Sequence, residues 1–220
     1  MALLAIFLGF FGLMAGILFA TAGRFNLPMF WAYIGVMAVF SSLGYLWLYQ
    51  HDPELIKERL HPGPGEHDRL SIGLLYVTLA AHWGIAGLDV GRLHWSGHMP
   101  LAVQIAGLIG FALGMGLGIW PMLVNPFFSS AVRIQADRGQ YVITKGPYRF
   151  VRHPGYSGGL LFLLCSGPAL GSWWSMLPML LCAAGLIRRT RLEDRMLQQE
   201  LPGYTDYAQK VRYRLVPGLW

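Results

Sequence analysis

The stretch SGGLLFLLCSGPALGSWWSMLPMLLCAAGLI, Ser157 to Ile187, decides how this chain is folded. As one straight helix its 31 residues would be about 46 Å long at about 1.5 Å per residue, well beyond a bilayer hydrocarbon core of about 30 Å. Gly167-Pro168 and Gly171 near its middle are helix breakers. The run therefore predicts a helical hairpin, Ser157 to Ala169 and Trp173 to Ile187.

Upstream lie four apolar segments long enough to cross a bilayer: Ala2 to Gly23, Pro28 to Tyr49, Leu70 to Asp89 and Met99 to Val124. The chain is 55% hydrophobic and only 13% charged, with a mean hydropathy of +0.45. That balance excludes an ordinary soluble domain. The expected fold is an all-α integral membrane protein of four full transmembrane helices plus the C-terminal hairpin. Residues 1–124 form a scaffold, and residues 125–220 form a region with a polar loop, the hairpin and a charged helix.

Charge placement distinguishes the hairpin from a single span, because Lys and Arg collect in short cytoplasmic loops. With a cytoplasmic N-terminus, the inner segments hold Lys57, Arg59 and Arg69, then Arg133, Arg138, Lys145, Arg149 and Arg152, then Arg188, Arg189, Arg191, Arg195, Lys210, Arg212 and Arg214. Only Arg24 and Arg92 of the 17 basic residues fall outside. A single span would export the last seven. Both termini are thus expected to be cytoplasmic. Met1 to Gly23 lacks a basic n-region and is read as a retained span, not a signal peptide.

The net charge of +6 belongs to a cytoplasmic face near anionic lipid. No nucleic-acid-binding module accompanies it. Cys165 and Cys182 both sit inside the apolar hairpin, as small core residues and not as a disulfide scaffold.

In the scaffold, Gly110, Gly114 and Gly118 recur every four residues, as do Gly12 and Gly16, a spacing that lets helix backbones approach closely in lipid. His82 lies within an apolar span, where an ionisable group is a functional candidate; a hydrogen-bonded packing role is the preferred reading, and its role stays open. His94 and His98 have a metal-compatible spacing, but they flank Ser96-Gly97 and have no third ligand nearby, so no metal is expected. The inner loop His51 to Arg69, with HPGPG at its centre, reads as a solvated connector.

Two polar blocks bracket the hairpin and must meet at the cytoplasmic interface. The first contains GPYRFVRHPGY, Gly146 to Tyr156; the second is RRTRLEDRMLQQEL followed by GYTDYAQKVRYRLVPGLW. Arg149, Arg152 and His153 supply cationic donors, Tyr141, Tyr148, Phe150 and Tyr156 supply flat faces, and Pro147 and Pro154 fix turns. Arg189 and Glu193, four apart, share a helix face next to Asp194. Two readings stay open on these residues alone. Basic and aromatic side chains anchor helices at membrane surfaces, yet the set also suits S-adenosylmethionine. That molecule combines an adenine for stacking, an ammonium and hydroxyls for a carboxylate, a carboxylate for a base, and a sulfonium for a ring face.

VITKGPYRFVRHPGYSGG, followed about thirty residues later by RTRLEDRML and then GYTDYAQKVRYRLVPG, resembles the isoprenylcysteine carboxyl methyltransferase family over Asn125 to Pro217. The first four spans carry no such likeness. The resemblance implies an integral membrane enzyme that takes a methyl group from S-adenosylmethionine. It implies that Gln140, Val142 and Ile143 lie along this cofactor, that Tyr148, His153 and Tyr156 enclose it, and that Glu193 contacts it. Arg189 would face the acceptor. The acidic pair here is Glu193-Asp194 where the family has two glutamates, which leaves the role of Asp194 open, as are those of Arg149 and Arg152.

The implied acceptor is lipophilic: the carboxylate or thiol of an isoprenylcysteine-like molecule or a small thiol, met among membrane lipids. A membrane reductase of the sterol-reductase type using NADPH, a phospholipid N-methyltransferase and a non-catalytic lipid-binding protein are the competing readings.

Overall fold

A computed structural model describes residues 2–61 and 69–220, so residues 62–65 of the HPGPG centre of the inner loop lie outside the described residues. Eight α-helices carry the described chain: α1 (Ala2–Ala22), α2 (Pro28–His51), α3 (Pro53–Leu60), α4 (Arg69–Leu88), α5 (Leu101–Val124), α6 (Pro154–Leu170), α7 (Met176–Glu200) and α8 (Tyr204–Lys210). No β-strand occurs among the described residues. Leu4–Ala22, Pro28–His51 and Leu101–Val124 are long and apolar enough to cross a membrane. Large apolar side chains such as Leu8, Leu13, Leu43, Ile109 and Leu113 point outward from them, which suits a hydrocarbon solvent.

The hairpin turns at Gly171, whereas Gly167 and Pro168 are carried inside α6, and α7 starts at Met176, three residues beyond the expected Trp173. Gly171 takes the left-handed conformation at φ 82° and ends α6, and the Ser172 amide closes back on the Gly167 carbonyl at 3.0 Å. Pro178 falls in the first turn of α7, where a missing N–H costs nothing. That helix continues unbroken from the apolar run into RRTRLEDRMLQQE, so the charged block is its extension and not a separate element. At the hairpin tip, Ser172 donates to Asp89 Oδ2 at 2.6 Å and the Trp173 amide donates to Ser96 Oγ at 2.8 Å. The tip therefore meets the chain between α4 and α5.

Helix α5 lies along α6 on glycines. A Cβ on Gly107 would meet the Pro168–Ala169 backbone, one on Gly114 the backbone of Gly158 and Phe162, and one on Gly158 the backbone of Gly114, Leu117 and Gly118. Close approach of this kind replaces the missing hydrophobic drive between helices in lipid. Gly12 and Gly16 do not play the part their spacing suggests: a Cβ on either meets nothing within 4 Å. The glycines that admit α1 belong to its neighbour, since Gly87 abuts Thr21 and Leu18 while Gly91 abuts Ala22.

A core of Met14, Leu18, Phe30, Tyr33, Trp83, Phe111, Leu163, Leu170 and Met179 joins α1, α2, α4, α5, α6 and α7, with Cys165 and Cys182 packed against it as free thiols. Through it runs one polar chain. His82, fully buried, pairs Nδ1 with the Ser175 carbonyl at 2.8 Å and Nε2 with Ser166 Oγ at 2.7 Å, and Ser166 pairs with the Tyr33 hydroxyl at 2.8 Å. This is the packing role expected of His82.

Candidate active site

The polar loop after α5 is pinned from two directions. Asn125 donates to the Tyr148 hydroxyl at 2.7 Å, and Pro147 starts the 3-10 turn Gly146–Arg149 that buries Tyr148. From the other side α3 reaches over: Glu58 accepts from Arg133 Nε at 3.2 Å and Nη2 at 2.9 Å, and from Ser129 Oγ at 2.8 Å. Burial alone would raise the Glu58 carboxyl, but Arg133 and Ser129 overcome it and hold the group below its ordinary range. The loop 125–145 is thereby shaped without strand or α-helix, its one regular turn being the 3-10 turn Ala136–Arg138. Its Gln140 side chain accepts from the Gln135 amide at 2.7 Å, and Ile143 packs with Tyr148, Leu201, Tyr204 and Tyr207.

The Arg-His-Pro stretch is held by the C-terminal tail. The Arg152 amide donates to the Tyr213 carbonyl and the His153 amide to the Arg214 carbonyl, both at 2.9 Å. Arg152 also donates from Nη1 to the Val211 and Arg212 carbonyls at 2.8 Å. Pro154 then opens α6 immediately after His153.

Asp194 is the hub of this arrangement. Fully buried, it accepts from Arg152 Nε (2.8 Å) and Nη2 (3.1 Å), Arg214 Nε (2.8 Å), the Tyr204 hydroxyl (3.1 Å) and Gln198 Nε2 (2.9 Å), and it lies 3.2 Å from His153 Nε2. Desolvation pushes its carboxyl up, but the bonds from His153, Arg152 and Arg214 prevail and set it far below the usual carboxylate range. Burial, then the Asp194 charge, drives the Tyr204 phenol upward. Tyr204 is therefore a donor at any ordinary pH.

Glu193 turns the other way, into a cavity of about 340 Å³. Its Oε2 accepts from the Tyr156 hydroxyl at 2.5 Å, and the Tyr156 hydroxyl oxygen in turn accepts from Arg189 Nε at 3.0 Å. Arg189 is further held by the Ser130 carbonyl at 2.8 Å. The His153 ring lies nearly parallel to Tyr156, 13° apart with centroids at 5.8 Å, and its Nδ1 is 3.9 Å from Glu193 Oε1. Gln140, Val142, Ile143, Tyr148, His153, Tyr156, Arg189 and Glu193 all line this one cavity.

Of the two undecided arginines, Arg152 turns inward to Asp194 while Arg149 stays exposed and off the cavity wall. Sequence reasoning did not single out Asn125, Tyr204 or Arg59, which line the cavity too. GYTDYAQK was visible as part of the second block, but nothing in it marks Tyr204 or Tyr207, both of which line the cavity. Arg59 sat in a loop read as a connector. No group of three or more His, Cys, Asp or Glu residues able to hold a metal occurs among the described residues, and His94 and His98 are both exposed.

Residues 102–202 match the family model described as phospholipid methyltransferase. The matched segment starts with α5 and ends ahead of α8, so it takes in the fourth apolar span, in which the sequence showed no family likeness. The reason is physical: α5 is bound along α6 by the glycine contacts and belongs to the same unit. The chain is also similar to a cobalt-zinc-cadmium resistance protein, CzcN, of Cupriavidus metallidurans, at 28% identity over 146 residues. Those residues cover 64% of this chain, and the chain spans 61% of that protein's length.

Proposed function

From its phospholipid methyltransferase segment, residues 102–202, we propose that this chain is a multi-pass membrane enzyme transferring a methyl group from S-adenosylmethionine to a lipophilic acceptor. The observation that carries the reading is the convergence of seven cofactor candidates and Arg189 on one cavity. At about 340 Å³ the cavity is within the usual range of small-molecule sites, about 300–1,000 Å³. Its donor set suits this cofactor. Glu193 offers a carboxylate for an ammonium or ribose hydroxyls, the Tyr156 and His153 rings offer faces for adenine or sulfonium, and Tyr148 offers a neutral hydroxyl.

In this reading α1, α2, α4 and α5 cross the bilayer, the α6–α7 hairpin enters from the cytoplasmic side, and the cavity and both termini face the cytoplasm. The contact of the hairpin tip with Asp89 and Ser96 and the placement of Lys and Arg support it. Residues 125–220 carry the cofactor candidates and Arg189, and residues 1–124 pack against them as scaffold while adding Arg59 and Leu75 to the cavity wall.

Held there by Glu193, Tyr156 and His153, S-adenosylmethionine would supply an electrophilic methyl for a new C–O or C–S bond and would leave with the electron pair of its broken S–CH3 bond as a neutral thioether. Arg189 balances the charge of a carboxylate or thiolate acceptor and orients it through the Tyr156 hydroxyl. A carboxylate has no proton left to remove, and a thiol gives its proton up to solvent on becoming the thiolate beside Arg189, so positioning does most of the remaining work. An isoprenylcysteine-like carboxylate or a small thiol is preferred. A phospholipid amine is the second reading, favoured by the matching family's description and disfavoured by a cationic product beside Arg189.

Calorimetry on the detergent-purified full chain tests this. S-Adenosylhomocysteine is expected to bind, more weakly to Glu193→Ala and His153→Ala. Unchanged affinity in both variants removes the site assignment. Binding of NADPH with no binding of S-adenosylhomocysteine replaces the methyltransferase reading with the reductase one.

A further inference from the structure

Arg59 enters the cavity from α3, outside the segment that matches the family model. Its Nη1 donates to the Phe128 carbonyl at 3.1 Å, and its guanidinium lies 5.5 Å from the Phe128 ring centroid. Its Nε is buried without a hydrogen-bond partner among the described residues. Nor does any carboxylate pair with it there: the adjacent Glu58 is already committed to Arg133 and Ser129. A buried donor with no acceptor is costly and calls for one.

Two features say what the acceptor would be. Arg59 and Arg189 clasp the same short loop from opposite ends, Arg59 on the Phe128 carbonyl and Arg189 on the Ser130 carbonyl, while Ser130 Oγ donates to the Arg59 carbonyl at 3.0 Å. Both guanidiniums therefore belong to one region of the cavity wall. Leu75 of α4, 41% exposed, and Leu186 of α7 line that cavity as well, giving it an apolar margin.

We propose that Arg59 is a specificity-determining residue that binds the anionic group, a carboxylate or a phosphate, of an amphiphilic acceptor whose apolar chain runs along Leu75 and Leu186. A guanidinium fork fits either oxyanion. The proposal rests on the methyltransferase reading for the word acceptor, but its anion preference is measured without turnover.

The test is binding of three probes sharing one chain, N-acetyl-S-farnesylcysteine, farnesyl phosphate and farnesol, to the detergent-purified full chain. The wild type is expected to bind one of the anionic probes at least about tenfold more tightly than farnesol, and which of the two it prefers names the anion. Arg59→Gln is expected to cut that preference severalfold, Arg189 accounting for the remainder, while leaving farnesol and S-adenosylhomocysteine affinities unchanged, and Arg59→Lys to restore part of it. Absence of an anion preference in the wild type overturns the proposal. So does an equal loss for farnesol and the anionic probes in Arg59→Gln, which would mean Arg59 only holds the Phe128 loop. If Arg59→Gln fails to fold, the wild-type preference and Arg59→Lys still decide, since a preference insensitive to loss of the fork also counts against it. Failure of the wild type to bind S-adenosylhomocysteine bears on the methyltransferase reading alone.

Discussion

Arg152 and Asp194, 42 residues apart in sequence, form a two-pronged ion pair in which Nε meets Oδ1 at 2.8 Å and Nη2 meets Oδ2 at 3.1 Å. The carboxylate is fully buried and shared with Arg214, His153, Tyr204 and Gln198. One side chain thus ties the Arg-His-Pro stretch, the end of α7 and the C-terminal tail together. Removing one partner of a buried pair leaves the other charge uncompensated, at about 3–5 kcal/mol. Asp194→Ala is expected to lower the melting temperature sharply and to abolish S-adenosylhomocysteine binding. A melting curve and cofactor affinity matching the wild type would show that the tail stands without the hub.

The same carboxylate sets a pH dependence. Its folded pKa lies below the unfolded value of about 3.9, so its contribution to stability is fully present above that value and is lost as pH falls toward the folded pKa. Melting temperature of the wild type is expected to fall as pH drops below about 4, and Asp194→Asn, already destabilised, to show a shallower slope there. Parallel slopes in the two proteins would move the acid sensitivity to another group, with Glu58 the next candidate because Arg133 holds it down as well.

Tyr156 links Arg189 to Glu193 through one hydroxyl. Arg189→Ala is expected to lose turnover while retaining most S-adenosylhomocysteine affinity, and Glu193→Ala to lose affinity first. Tyr156→Phe removes the link and is expected to weaken both functions, by about tenfold each if a charged hydrogen bond is lost on either side. Measuring Kd and kcat in all three separates the roles. Identical profiles for Arg189→Ala and Glu193→Ala would mean the two residues act as one unit.

Glycine spacing shows what the sequence could and could not convey. Gly12 and Gly16 in α1 repeat the interval of Gly110 and Gly114 in α5, yet only the second pair meets another helix. Spacing records which residues share a face; it does not record what that face is turned toward. The hairpin was legible because Gly171 acts within a few residues of itself, and the cavity lining was legible because its motifs come in a fixed order. Asp194 as hub and Arg59 as a cavity residue were not. Each depends on a partner far along the chain, 42 residues from Asp194 to Arg152 and 69 from Arg59 to Phe128.

That difference yields a stability prediction. Gly114→Ala and Gly158→Ala put a methyl group against neighbouring backbone, which cannot yield as a flexible side chain does, and are expected to cost about 1–3 kcal/mol each. Gly12→Ala and Gly16→Ala meet open space and are expected to leave the detergent-solubilised protein's melting temperature unchanged or slightly raised, since Ala is the better helix former. Equal destabilisation by all four would show that α1 packs on a surface of a second molecule or of lipid that selects small residues. Equal tolerance would show that α5 and α6 can part without loss.

His82 supplies the last test, because it separates a structural role from a catalytic one. Both its ring nitrogens are bonded, to the Ser175 carbonyl and to Ser166, and the chain ends on Tyr33. His82→Leu preserves apolar volume but strands the Ser175 carbonyl and one end of the Ser166–Tyr33 pair, at about 1–3 kcal/mol for each group left unsatisfied. Melting temperature is expected to drop while S-adenosylhomocysteine affinity and kcat, measured well below the transition, stay at wild-type values, since His82 does not line the cavity. His82→Asn retains one donor and one acceptor and is expected to recover part of the loss. A fall in kcat with an unchanged melting temperature would place the buried chain in the reaction itself.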